Sequence, residues 1–110
     1  MPIATINPAT GITERTFEEI SDQEVERILA RAAATFTSYR TTSFAERAAW
    51  MVRAAEILED EVDRVATMMT TEMGKTLAAA KAEALKCAKA CRYFAEHAAK
   101  VTLRAIAEHD

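Results

Sequence analysis

The chain has 110 residues, half of them apolar but only 6% aromatic, with 14 Lys and Arg against 17 Asp and Glu, a net charge of −3. That length is one domain at most, and the acidic balance argues against a protein that binds nucleic acid by neutralising phosphates. No run of 18 apolar residues is present to span a membrane, and two cysteines without a basic, apolar leader point to a reducing cytoplasm.

Two prolines and two glycines leave few loop-formers, so a mainly α fold is expected. Residues 1–20 are the exception and read as a β-hairpin arm. Asn7-Pro8-Ala9-Thr10-Gly11 is a turn cluster: proline fixes φ, asparagine bonds its own backbone, and glycine accepts φ > 0. Ile3–Ile6 and Ile12–Phe17 flank it as strands, and a two-stranded hairpin needs something to pack against.

Residues 21–110 read as a helical segment of about four helices. Ser21-Asp22-Gln23-Glu24 fits a capping box, followed by the stripe Val25, Ile28, Leu29, Ala32 and Phe36. Arg40-Thr41-Thr42 is a linker, and Ser43-Phe44-Ala45-Glu46 repeats the box ahead of Phe44, Ala48, Met51, Val52, Ala55 and Leu58. Asp60 is the expected cap of a third helix bearing Val62, Val65, Ala66, Met69 and Met73, and Gly74 its left-handed stop. Thr76 caps a fourth helix through Leu77, Ala84, Ala88, Cys91, Ala95 and Ala98. That helix is rich in alanine, so it buries little area per residue and fits best where other structure covers it.

Candidate chemistry is sparse. Gly74-Lys75-Thr76 echoes the end of a phosphate loop, but Met69 stands where that loop needs glycine, so a helix cap followed by a helix start is expected. Cys87 and Cys91 share a helix face. With His97 they fall short of the four ligands of structural zinc, and small buried cysteines are expected instead. Glu18-Glu19 and Glu59-Asp60-Glu61 read as solvated charges beside helix ends. His97 and His109 have no catalytic partner at a suggestive spacing, and Trp50 reads as a core or interface anchor. No catalytic, cofactor-binding or metal-binding residue is assigned.

Several segments, in order, nevertheless carry a resemblance. Ile6-Asn7-Pro8-Ala9-Thr10-Gly11, Arg47-Ala48-Ala49-Trp50, Met69-Thr70-Thr71-Glu72-Met73-Gly74-Lys75-Thr76-Leu77, Ala82-Glu83-Ala84 and Arg92-Tyr93-Phe94-Ala95 resemble the N-terminal part of the aldehyde dehydrogenase superfamily. The likeness is greatest to bacterial succinate-semialdehyde dehydrogenases and covers residues 2–99. It implies the helical N-terminal part of the cofactor-binding domain, in a family that oxidises aldehydes to acids with NAD or NADP. The family's nucleophile, in a Gly-Gln-x-Cys context, and its glutamate, in Glu-Leu-Gly-Gly-Lys, are absent here. Glu72-Met73-Gly74-Lys75 matches the separate N-terminal Glu-x-Gly-Lys signature. Residues 100–110 depart from the family pattern, as in a truncated or frame-shifted frame.

The resemblance therefore implies a truncated dehydrogenase-like chain that is inactive alone and binds no cofactor by itself. Its fourth helix would lie near a substrate entrance, with Lys86 or Arg92 the cations placed to favour an anionic aldehyde. Expected partners are a second copy or a complementary dehydrogenase fragment. Leu77, Ala84, Ala88, Cys91, Tyr93 and Phe94 are expected at the exposed face. The alternative is a free-standing helical interaction or dimerisation module without catalysis.

Overall fold

The computed structural model describes residues 3–107, so His109 and the end of the 100–110 segment lie outside the described residues. Strands β1 (Ile3–Ile6) and β2 (Thr13–Phe17) form the expected hairpin. They pair antiparallel, Ile3 opposite Phe17 and Ile6 opposite Thr13, with an irregularity at Thr5/Ile6. Asn7 organises the turn: its N–H donates to the Ile12 carbonyl (2.9 Å) and its own carbonyl accepts from Gly11 (2.8 Å). Its side-chain Oδ1 accepts from the Ala9 N–H at 3.0 Å. Gly11 takes φ +71°, which a Cβ would disfavour.

Four helices follow: α1 (Asp22–Tyr39), α2 (Phe44–Asp60), α3 (Val62–Met73) and α4 (Leu77–Ala107). Ser43 and Glu46 form the complete capping box of α2. The α1 box is half made. Ser21 accepts from the Glu24 N–H, but the Glu24 carboxylate turns to Arg27 instead. Asp60 does not cap α3: it is the last residue of α2, and Glu61 (φ −101°, ψ 17°) ends one helix and begins the next without a side-chain cap bond. Gly74 closes α3 in the left-handed region, and the Thr76 hydroxyl accepts from the Ala79 N–H at the start of α4.

α4 runs back along α2 and α3. Lys81 pairs with Asp63 of α3 (2.5 Å) and Arg92 with Glu59 of α2 (2.6 Å). Further along, Phe94–Ala99 reach the level of Phe44–Met51. The seam between the arms is made of alanine: Ala80, Ala84 and Ala88 of α4 meet Ala55 of α2 and Ala66 of α3, all at 1% exposure or less. Side chains this small let helix backbones approach closely. Ala84 and Ala88, expected on the exposed face, are thus the buried stripe, while Leu77, Tyr93 and Phe94 remain exposed.

The rest of the chain stands apart. Among the described residues, α1 lies along no other element and buries none of its residues. Among the described residues, the hairpin reaches the helices through β1 against α3 and through its tip. The radius of gyration is 18.9 Å, against about 13 Å for a compact domain of this size.

Candidate functional site

Two of the segments singled out in the sequence meet in space. The hairpin tip rests on the α3–α4 turn. A Cβ built on Gly74 would fall 3.0 Å from Pro8 Cγ, closer than such atoms come without something moving. Beside it the Thr5 hydroxyl donates to Glu72 Oε1 at 3.4 Å. Gly74 thus suits φ +71°, and a Cβ there would also press on the ring packed over it. Lys75 turns from this contact to the Glu83 carboxylate on α4. The turn is a helix stop followed by a helix start, as the sequence predicts, and a proline packs over it.

The cysteines do not sit as expected. Cys87 is exposed and Cys91 half-buried. At about 100° per residue, Cys87 lies about 100° from the buried Ala88 and Cys91 about 60° from it on the same side. The alanine stripe covers neither completely. His97 is engaged on its own helix: Nδ1 lies 2.9 Å from the Tyr93 carbonyl, and its ring stacks on Tyr93 with centroids 4.3 Å apart. Among the described residues, no three His, Cys, Asp or Glu side chains gather into a metal site.

Of the acidic run, Glu18 and Glu19 are exposed, but Glu59 and Glu61 each hold an arginine. Glu59 takes Arg92 through two hydrogen bonds, 2.9 and 2.6 Å. This holds its carboxyl below the usual carboxylate range, and raises Arg92 in turn. Arg92, one of the two cations expected at an entrance, is thereby a strut between α4 and α2. Lys86 lies on the exposed outer face of α4 beside Cys87.

Trp50 is half exposed and stacks on Tyr39, centroids 5.8 Å apart, so it anchors the α1–α2 corner and not the core. The same corner holds a residue whose role the sequence did not reveal. Arg47 Nε donates to Thr42 Oγ1 (2.8 Å) and Nη2 to the Tyr39 carbonyl (3.2 Å). Its guanidinium lies 4.9 Å from the Tyr39 ring centre. It adds a donor to the Tyr39 carbonyl, which also accepts from the Thr42 N–H and hydroxyl, and reaches the Arg40 carbonyl past the end of α1. An arginine at the fourth position of a helix, eight after the end of the previous one, is too common to be read as such. Next to it, Phe44, Met51 and Phe94 line an open apolar cleft of about 510 Å³.

Comparison with known proteins agrees with this geometry. The sequence profile of the aldehyde dehydrogenase family matches residues 1–110. The chain is 63% identical over 98 residues to succinate-semialdehyde dehydrogenase [NADP(+)] 1 of Mycobacterium tuberculosis, covering 89% of this chain and 21% of that protein. It is 58% identical over 98 residues to an aldehyde dehydrogenase of Paenarthrobacter nicotinovorans, with the same two coverages. Among solved structures, it is similar to succinic semialdehyde dehydrogenase of Streptococcus pyogenes in complex with NADP+. There the TM-score is 0.84 and the identity 32%, over 89% of this chain and 22% of that one. The chain thus spans about a fifth of the length of the relatives it matches.

Proposed function

The chain belongs to the aldehyde dehydrogenase family, and from that premise we propose that it is the helical N-terminal part of a succinate-semialdehyde dehydrogenase. In the intact protein the reaction is NADP-dependent oxidation of the aldehyde to the acid, in the cytoplasm. The observation that carries this reading is the 63% identity over 98 residues to an NADP-dependent succinate-semialdehyde dehydrogenase. This chain's own part is support. The alanine seam sets the α2–α3–α4 body, and the hairpin tip fixes the turn where α4 begins.

We read the chain as binding no nicotinamide cofactor by itself. Close approach of backbone to a pyrophosphate needs an open glycine turn, and Pro8 closes the turn at Gly74. Lys75, Lys81 and Arg92 are each taken by a carboxylate. Nor is a nucleophile prepared: acyl transfer needs a thiol beside a base, and His97 is held against Tyr93. Lys86 stands exposed on the outer face of α4. The chain alone is inactive, and its bare apolar faces take a second copy or a complementary dehydrogenase fragment. A free-standing helical interaction module is the second reading, favoured by the closure of α2, α3 and α4 on their own alanine core.

The test is activity by complementation. Purified chain with succinate semialdehyde and NADP or NAD should form no reduced nicotinamide. Adding a fragment of a relative that carries the Gly-Gln-x-Cys and Glu-Leu-Gly-Gly-Lys motifs should restore turnover. Turnover by the chain alone, abolished in Cys87→Ser or Cys91→Ser, would overturn the inactive reading. Failure of every such fragment to bind would favour the module.

A further inference from the structure

We propose that two copies of this chain pair antiparallel through the outer face of α4, with Glu83 of each copy against Lys86 of the other. The inference deepens the self-association reading above and rests on it. The face carries Ala79, Ala82, Glu83, Lys86 and Ala90, all exposed, and with Lys75 and Cys87 it lines a shallow concavity of about 630 Å³. It lies roughly a third of a turn around the helix from the buried stripe Ala80, Ala84 and Ala88. Among the described residues, no element covers it.

The order of residues along this face is its own complement. Reversing α4 about the midpoint between Ala84 and Leu85 brings Ala79 level with Ala90 and Glu83 level with Lys86. Two such helices, related by a two-fold axis, place alanine against alanine at both ends and opposite charges at the centre. That is what an isologous interface requires. Small residues at the ends of the contact let the axes come close, within reach of both ion pairs. Glu83 already accepts Lys75 of its own chain through Oε2, leaving Oε1 to accept the second lysine. The register is also protected. A slide of three residues in one direction sets Lys86 against Lys86, and in the other sets Glu83 against Glu83, and like charges facing each other suppress wrong alignments. One pair of helix faces falls below the roughly 1,200 Å² at which stable complexes begin, so the pairing is concentration-dependent and weakened by salt.

Sedimentation of a dilution series, with circular dichroism to confirm folding, tests this on the full chain, Glu83→Lys, Lys86→Glu and an equimolar mixture of the two variants. Each variant replaces two attractions by two repulsions, so each should dimerise about tenfold or more weakly than the unaltered chain. The mixture should recover dimers, because one copy then offers two cations and the other two anions. Single variants that dimerise as the unaltered chain does would overturn the α4 interface while self-association stands, and loss of dimers in Leu29→Gln would then place it on α1. A full chain that stays monomeric at every concentration would overturn both.

Discussion

Helices α1 and α4 invert the usual relation between side-chain size and burial. α1 carries Ile28, Leu29 and Phe36 on one stripe and buries none of them; Leu29 and Phe36 are each 58% exposed. α4 is rich in alanine across its first half, yet holds three of the five buried positions among the described residues. Large apolar groups lie where the chain has no neighbour of its own, and the smallest lie where it does. Stability within the chain comes from close approach of helices, while its exposed large apolar groups lie on α1, the hairpin and the later part of α4. A stripe of leucine and phenylalanine shows that a helix has a partner, not that the partner lies in the same stretch of chain.

The sharpest way to break this contrast is to enlarge the smallest core residue and shrink the largest surface one. Ala84→Leu should force α4 off α2 and α3 at a cost of about 1–3 kcal/mol, the range for overpacking. Phe36→Ala, normally a severe change in a core, should stay within about 0.5 kcal/mol, as exposed positions do. Urea titrations of both variants measure the difference, and an equal or larger loss in Phe36→Ala would show that α1 is packed.

Next in size is the contact between the hairpin and the helices. Gly74→Ala places a Cβ in the left-handed region, which costs about 1–2 kcal/mol, and presses it on Pro8. Thermal melting should fall accordingly, and hairpin amides should exchange faster. Pro8→Ala in the same chain should recover the part due to crowding and leave the part due to φ.

The smallest effect is electrostatic. Arg92 lowers the Glu59 carboxyl, and the Ser43 N–H and hydroxyl lower that of Glu46. For both groups the unfolded chain holds its proton to higher pH than the folded one. Their contribution is therefore complete above the ordinary glutamate value of about 4.3 and is lost as pH falls through the lowered folded values. Acid titration of Glu59→Gln should show a shallower loss of helicity below that value than the unaltered chain. An identical acid limb would mean that the Glu59–Arg92 pair adds nothing to stability.

What could be read from the sequence was what is decided locally. The Asn7–Gly11 turn, the Ser21, Ser43 and Thr76 caps and the Gly74 stop each depend on backbone groups a few residues away, and each stands where its residue type predicts. The α2–α3 boundary missed by one residue because nothing marks it: Glu61 makes the break without a side-chain cap bond. Long-range pairing was not legible. Arg92 and Glu59 are 33 residues apart, and no local rule prefers that glutamate to its neighbours. Nor could periodicity alone decide which face of an alanine-rich helix is covered, so Ala84 and Ala88 were expected outside and Cys87 inside. The meeting of Pro8 with Gly74 had only an indirect sign, two turn motifs rich in glycine and proline far apart in the chain.

Hydrogen exchange along the full chain tests the central claim most directly, that its own core is the alanine seam and that α1 contributes nothing to it. Amides around Ala80, Ala84 and Ala88 should open only with global unfolding, whereas those of the middle of α1 should exchange through local fraying at far smaller free energies. Equal protection in the two helices, measured at a concentration where the chain is monomeric, would contradict the account.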